Sequence, residues 1–281
     1  MRRKNVLIIL ILAFVLLWVY RDSKTVLSLF GLKSDYFVDP WYYPRGSDGH
    51  IVKHDGFVLA YNEEWEQPDW VAYLLTKKNI EKGRVGHRRQ FREDPKVETT
   101  SAYFDDYDGS GFYPAQLAPP EDFVWDAYLA NMTYLMSNTS PQMAKFNRGI
   151  WLELEKQIRK WVEEENVLYV VCGPITNKRP KFYIGWNNRI AVPEYFYKVL
   201  LSMNDGKFKG IGFVLPNTES NRPLMEYAMS IDEVETATGL DFYPDLMSNH
   251  IEKDVEADSD VSLWKFSKQL YNDRIKYGNK E

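Results

Sequence analysis

The first 22 residues contain the feature that most limits the fold. An unbroken apolar run extends from Val6 to Tyr20, behind the basic residues 2–4 and ahead of Arg21. As a helix this run is about 22 Å long, shorter than the roughly 30 Å hydrocarbon core, so it fits either a short membrane anchor or the apolar part of a signal peptide. No small-residue cleavage site follows it, which favours an uncleaved anchor. Residues 1–22 are therefore expected in a membrane, and the remaining chain must form the globular fold.

The charges around this segment predict the position of the globular part. Because Lys and Arg concentrate on cytoplasmic flanks, the basic residues 2–4 place the domain outside the cytoplasm, in the periplasm or beyond the cell. Residues 23–44 mix aromatic residues with Pro and Gly and are predicted to be a spacer. One domain is expected over 45–250, followed by a charged tail or short helix over 251–281.

Composition limits how the domain is held together and what it binds. A hydrophobic content of 44% with 15% aromatic residues indicates a packed core. Cys172 is the single cysteine, so no intrachain disulfide can form, and its apolar surroundings predict a buried thiol. Without the basic first 22 residues, the formal charge of −5 becomes about −8, which disfavours nucleic acid unless a local basic patch exists.

Hydrophobic periodicity predicts both helices and strands. The predicted elements are a β-hairpin over 51–75, a long ordered loop over 84–111, a helix over 147–165, buried strands over 167–172 and 208–215, a helix or turn from Pro193 through Phe196 and Leu200, a helix over 231–238, and one face of a tail helix formed by Leu263, Phe266 and Leu270. This mixture predicts an α+β domain.

Nine segments resemble, in order and spacing, the DNA/RNA non-specific endonuclease family of the ββα-metal type. They are HDGFVLAYNEEWEQPDWVAYLL, FREDPKV, DYDGSGFYPAQLAP, MSNTSPQ, FNRGIWLELE, YVVCGPI, AVPEYFYKV, FVLPN and DEVETATGLDFYPDL. The resemblance covers about 200 residues. It implies a ββα-metal nuclease fold with a central, mostly antiparallel sheet flanked by helices.

The resemblance fails at the family's catalytic motif. Family members have D-R-G-H between a glycine-rich turn and Leu-Ala-Pro, where this chain has Tyr113, Pro114, Ala115 and Gln116. A histidine can take a proton from the attacking water at neutral pH, but a glutamine amide cannot, so a general-base contribution of about 100- to 10,000-fold is expected to be lost. Replacement of the arginine also removes a bidentate phosphate ligand.

The metal-binding half of the site is retained. The resemblance implies one Mg²⁺ ion at Asn147, the first residue of the predicted helix, together with Glu155 orienting metal-bound water, Asn138 as a second site asparagine and Arg89 as a phosphate clamp. An amide oxygen and waters suit this hard cation. Each residue also has a structural alternative: a helix N-cap for Asn147, a solvated helix residue for Glu155, a turn former for Asn138 and a charged loop residue for Arg89.

Another histidine could replace the missing base. His50, His54 and His87 lie in segments that the family places near the sheet or the cleft, although a lone surface histidine usually has no such role. Two functions therefore stay open. The favoured one is a membrane-anchored pseudonuclease that binds a protein partner or nucleic acid, including a role as a subunit of a membrane assembly. The alternative is an active Mg²⁺-dependent endonuclease that hydrolyses DNA and RNA.

Overall fold

The computed structural model describes residues 42–176, 180–204 and 207–278, which belong to one compact unit. The predicted membrane segment over 1–22 and most of the predicted spacer lie outside these residues. Within the described part of the chain, every helix is too short or too polar to cross a bilayer. The α+β prediction with a mostly antiparallel sheet is confirmed.

A seven-stranded antiparallel sheet forms the centre of the domain. Its strands are β1 His50–Lys53, β2 Phe57–Asn62, β3 Gln67–Thr76, β6 Val167–Ile175, β9 Tyr195–Asn204, β10 Lys207–Pro216 and β11 Ala228–Met229. They lie side by side in the order β1-β2-β3-β6-β9-β10-β11. Two small sheets lie beside it, one formed by β4 Phe112–Gln116 and β5 Thr139–Met143, the other by β7 Tyr183–Ile184 and β8 Ile190–Ala191. The hairpin predicted over 51–75 and the two predicted buried strands are confirmed.

Strand β9 contradicts the sequence prediction. Residues 195–204 form a central strand between β6 and β10, whereas the prediction was a helix or turn beginning at Pro193. Both faces of this strand are covered, so nearly every position from Phe196 to Ser202 is buried. A strand buried on both faces has no alternating pattern, and a short apolar run cannot then be distinguished from a buried helix.

The helices pack on the two faces of the central sheet. Their bounds are α1 Lys77–Ile80, α2 Ala127–Met132, α3 from Ala144–Phe146 through the π-helical turn Asn147–Trp151 to Leu152–Glu165, α4 Ile231–Thr238, α5 Asn249–Glu256 and α6 Lys268–Asp273 followed by the π-helical turn Arg274–Gly278. Trp161 of α3 stacks on Phe213, whereas Ile231 and Val234 of α4 pack with Tyr197 on the opposite face. The predicted α4 is confirmed.

The chain ends of the domain contribute to its core. Tyr42 and Tyr43 pack against Tyr169 and Trp70, with ring centroids 4.8 and 5.6 Å apart. In the tail, Leu263 and Leu270 belong to different short helices, and Phe266 lies between these helices against Trp161. The prediction of one helix face through these three tail residues is therefore wrong, because the tail turns to follow α3 instead of forming one amphipathic helix.

Candidate active site

The antiparallel strand pair β4–β5 contains residues 113–116, the segment expected to stand in place of the family motif. Gln116 pairs with Thr139, and Tyr113 pairs with Gln142. Side chains alternate between the two faces of a strand, so Gln116 shares a face with Pro114, and Tyr113 lies on the other. Strand β5 continues directly into α3, which places residues 113–116 of β4 and Asn147 on adjoining elements.

Gln116 is half-buried at the end of β4. Its Nε2 atom lies 3.4 Å from the Thr133 carbonyl oxygen, a long hydrogen bond, and its amide also contacts the Tyr134 hydroxyl. Burial raises the pKa of Tyr134, and the positive charge of Arg89 partly offsets this rise. Gln116, Tyr134 and the exposed Arg89 are therefore neighbours, and two of the predicted site residues lie in one region.

Asn138 is completely buried behind Gln116. Its Oδ1 atom accepts from the Ala118 amide at 3.0 Å, while its Nδ2 atom donates to the carbonyl oxygens of Ala118 at 3.0 Å and Thr133 at 2.9 Å. Both ends of the side-chain amide are thus used to join the segment after β4 to the segment before β5. These hydrogen bonds hold strands β4 and β5 in position relative to each other.

Asn147 lies in the first segment of α3, which begins three residues earlier, at Ala144, and is separated from the long helix by a kink at Gly149. Its backbone is helical (φ −59°, ψ −48°) and its Nδ2 atom donates to Gln142 Oε1 at 2.8 Å. The N-cap alternative and the predicted helix start are both wrong, since an N-cap has extended backbone and an accepting side chain. The backbone leaves the helical conformation at Gly149 (φ −96°, ψ −112°), so a kink lies two residues after Asn147.

The Asn147–Gln142 hydrogen bond provides a test of whether a metal ion fits. Donation by Nδ2 fixes the amide orientation and leaves Oδ1, the atom that a hard cation requires, directed away from Gln142. Gln142 is fully buried, and its Nε2 atom has no hydrogen-bond partner among the described residues. Asn147 Oδ1 is a neutral oxygen ligand of the kind that a hydrated divalent cation accepts.

Glu155 is a buried residue, 7% exposed, which contradicts the alternative of a solvated helix position. Burial raises its pKa to about 7, while the positive charges of Lys198 and Arg159 oppose that rise. A carboxyl group with a pKa in this range gains or loses its proton near neutral pH.

Sequence reasoning missed several charged residues around Glu155. Lys198 of β9 is completely buried, and its Nζ atom lies 4.7 Å from the Trp151 ring centroid without a hydrogen-bond partner in the described structure. Arg159 forms an ion pair with the buried Asp122 at 2.6 Å. The sequence signal for Lys198 was a lysine inside an apolar run. The signal for Arg159 was its position four residues after Glu155, which places these two residues on one side of the helix.

Three histidines were candidate replacement bases. His50 is exposed at the sheet edge, and His54 is buried with its Nε2 atom 2.7 Å from Asp94 Oδ2, an interaction internal to the fold. His87 is different, because its ring lies 6.0 Å from that of Tyr134, the residue that contacts Gln116. Its Nε2 atom is enclosed and has no hydrogen-bond partner among the described residues.

A basic segment lies beside Gln116 despite the acidic composition. Residues 82–92 contain five cationic side chains and no carboxylate, and all five are exposed: Lys82, Arg84, Arg88, Arg89 and Arg92. Cys172, in contrast, is fully buried and donates to the Leu117 carbonyl oxygen at 3.1 Å, with burial raising the pKa of its thiol to about 11. A local cationic surface therefore exists, and Cys172 is buried as predicted.

Known proteins share this arrangement of elements. The family model described as DNA/RNA non-specific endonuclease matches residues 42–249. The chain belongs to the DNA/RNA non-specific endonuclease family. Nuclease C1 of Cunninghamella echinulata var. echinulata is 31% identical over 215 residues, which are 72% of this chain and 85% of that protein.

Two further relatives extend the comparison. Mitochondrial endonuclease G of Homo sapiens is 31% identical over 215 residues, covering 70% of this chain and 71% of that protein. A chain from a crystal structure of the EndoG/EndoGI complex superposes with a TM-score of 0.65 at 26% identity, over 72% of this chain and 89% of that chain. The family resemblance inferred from the nine sequence segments is therefore confirmed.

Proposed function

We propose that this protein binds nucleic acid on the family's nuclease scaffold but cleaves it poorly, as a pseudonuclease. The observation that carries the proposal is Gln116 at the position where the family has histidine. Its amide has no proton equilibrium near neutral pH and hydrogen-bonds Thr133. Without a base the attacking water keeps its proton, at a cost of about 100- to 10,000-fold in rate.

Residues for holding a phosphate backbone are retained. The basic segment 82–92 supplies exposed guanidinium groups next to Gln116, and arginine binds phosphate oxygens in a bidentate manner. Arg148, the residue after Asn147, stacks on Tyr113 with its guanidinium carbon 4.8 Å from the ring centroid. This local charge supports nucleic acid as a ligand, although the whole chain is acidic.

A divalent cation belongs to the proposal as a bound group. Asn147 would provide the protein oxygen for Mg²⁺, with Gln142 holding its amide in the required orientation. When bound, the ion would supply positive charge for a phosphate oxygen. Glu155, Lys198 and Arg159 form the buried charged layer on the same helix and its neighbouring strand, and we assign them the role of balancing charge there.

An active nuclease is the second candidate, and His87 is the observation that favours it. This histidine packs against Tyr134, which itself contacts Gln116, and its enclosed Nε2 atom has no hydrogen-bond partner in the described structure. If its ring turned towards the cleft, an imidazole would again be available as a base. Cleavage that depends on His87 would then replace the pseudonuclease proposal.

Restoring the motif tests the two candidates against each other. Full-length protein in detergent is given labelled DNA or RNA with Mg²⁺, and the variant carrying Tyr113→Asp, Pro114→Arg, Ala115→Gly and Gln116→His is expected to cleave at least about 100-fold faster than the unaltered protein. Gln90→His, which adds an imidazole on the exposed loop, is the matched control and should gain nothing. Unaltered protein that cleaves well and loses cleavage on His87→Ala would support the second candidate.

We further propose that the protein is anchored by residues 1–22, with its domain outside the cytoplasm. The apolar run from Val6 to Tyr20 and the basic residues before it support this topology. A protein partner within a membrane assembly is compatible with the same location. Protease protection of the domain in intact cells or spheroplasts tests the orientation: digestion from outside supports it, and protection until lysis would contradict it.

A further inference from the structure

Helices α4 and α5 lie on the face of the sheet opposite α3, close to strand β10. A Cβ atom at Gly210 would lie 2.5 Å from Ile231 Cδ1, and one at Gly212 would lie 2.3 Å from Val234 Cγ2. These glycines let α4 approach the strand, and Val255 of α5 packs in the same core cluster. Apolar contacts therefore fix the two helices at short range, independently of their charges.

Three carboxylates meet where these helices adjoin. Asp232 and Glu235 are three residues apart on α4 and so share one side of that helix, and Glu256 is the last residue of α5. One oxygen of each group lies within 4.8 Å of the others. Two oxygens bound at the usual Ca²⁺–oxygen distance of about 2.3–2.6 Å can lie up to about 5 Å apart, so this upper limit is compatible with one shared ion.

Glu256 is the observation that points to a ligand. This residue is 6% exposed, and its Oε1 atom is enclosed without a hydrogen-bond partner in the described part of the chain. Leaving a buried carboxylate oxygen unsatisfied is costly. Glu235 differs, because its Oε1 atom accepts from the Phe242 amide at 2.8 Å. Glu256 thus contributes a carboxylate with one oxygen that lacks a donor among the described residues to this group of three carboxylates.

The charges around Glu256 are mostly of the same sign. Asp241 and Glu252 add to the negative potential at this position. Two cations, Lys253 of α5 and Arg45, act on the neighbouring Glu252, and Arg45 is also bound to Asp245 through two contacts of 2.8 Å. The charges that act most strongly on Glu256 are negative, and a divalent cation would offset them.

We propose that Asp232, Glu235 and Glu256 bind one Ca²⁺ ion that joins α4 to α5. Oxygen-only ligands with waters completing the shell suit a hard cation, and Ca²⁺ accepts irregular, flexible sites more readily than Mg²⁺. The site lies across the sheet from Asn147 and does not depend on the proposed function. Its role is to hold the end of α5, and hence the tail that follows, against the domain.

Calorimetric titration of the full-length chain with CaCl₂ at about pH 8.5 tests the proposal. The Asn147→Ala background removes the other expected cation site. One ion per chain should bind with a Kd of about 10⁻⁵ to 10⁻³ M, and saturating Ca²⁺ should raise the thermal midpoint. Glu256→Gln and, separately, Asp232→Asn should each weaken binding at least about tenfold. Asp254→Asn, an exposed residue of the same helix, is the matched control and should leave the affinity unchanged.

Two results would overturn the site. Absence of Ca²⁺-dependent heat and of any thermal shift at that pH, with Glu256→Gln stabilising the chain, would mean that the carboxyl groups share protons and bind no ion. Binding that survives both Glu256→Gln and Asp232→Asn would place the ion elsewhere. If Glu256→Gln fails to fold, Asp232→Asn decides alone, because Asp232 is exposed and its replacement leaves the core intact.

Discussion

Replacing Glu155 by glutamine should change how stability depends on pH. Glu155 is buried on α3, and its pKa of about 7 compares with an ordinary value of 4.5. The folded protein therefore binds this proton more tightly than the unfolded chain does. The resulting stabilisation is complete below the unfolded pKa and is lost as the pH rises through about 7.

The magnitude follows from the two pKa values. The folded and ordinary pKa values differ by about 2.5, and each pH unit corresponds to about 1.4 kcal/mol, so the stabilisation lost between low and high pH is about 3 kcal/mol. Glutamine has the same shape without a titrating proton. The free energy of unfolding of Glu155→Gln minus that of the unaltered protein should thus become more positive by about 3 kcal/mol between about pH 4.5 and about pH 8.

Urea unfolding at several pH values measures this difference. Contributions from groups common to both proteins, including Glu235 and Glu256, cancel in the subtraction when the sites are far apart. Glu163→Gln removes an exposed carboxylate from the same helix and should give a nearly flat difference. A flat difference for Glu155→Gln as well would refute the argument that burial controls the ionisation of Glu155.

Two other contacts give sharp expectations. Arg274→Ala should destabilise the fold by about 3–5 kcal/mol in urea unfolding, because Arg274 Nε donates to the buried Glu153 at 2.5 Å and its removal leaves that carboxylate without its partner. Arg222→Ala removes an exposed arginine and should cost under about 1 kcal/mol. Equal costs for the two variants would contradict this reasoning. Gln142→Leu should weaken Mg²⁺ binding about tenfold or more by releasing the Asn147 amide, measured by calorimetry, whereas unchanged affinity would remove Gln142 from the site.

Helix α4 was predicted correctly because it has one buried and one exposed side, and it also has a capping box in which Ser230 and Glu233 bond reciprocally. The hairpin β2–β3 was predicted from two apolar segments separated by a charged turn, although both of its strands are largely buried. Strand β9 was wrongly predicted because it is covered on both faces. Its one charged residue, Lys198, is buried against Trp151 of α3, and a single sequence contains no indication of that partner.

The candidate site could be predicted in its residues but not in their environments. Glu155 follows Leu154 on α3 and would be solvated on a helix with one buried face. It is buried because the sheet, the segment after β4 and the tail all cover this helix, leaving Glu153 and Gln157 buried as well. Similarly, the orientation of Asn147 depends on the kink at Gly149 and on the hydrogen bond to Gln142 of strand β5, neither of which the sequence pattern shows.

Single-turnover cleavage measured beside binding tests the central claim most directly. An excess of unaltered full-length protein is mixed with labelled DNA or RNA in Mg²⁺ or Mn²⁺, and bound and cleaved fractions are followed in the same samples. We expect salt-sensitive binding that weakens when Arg88 and Arg89 are neutralised, with the nucleic acid left intact. Rapid cleavage by the unaltered protein that disappears on Asn147→Ala would contradict the account, because Gln116 would then not have removed the chemistry.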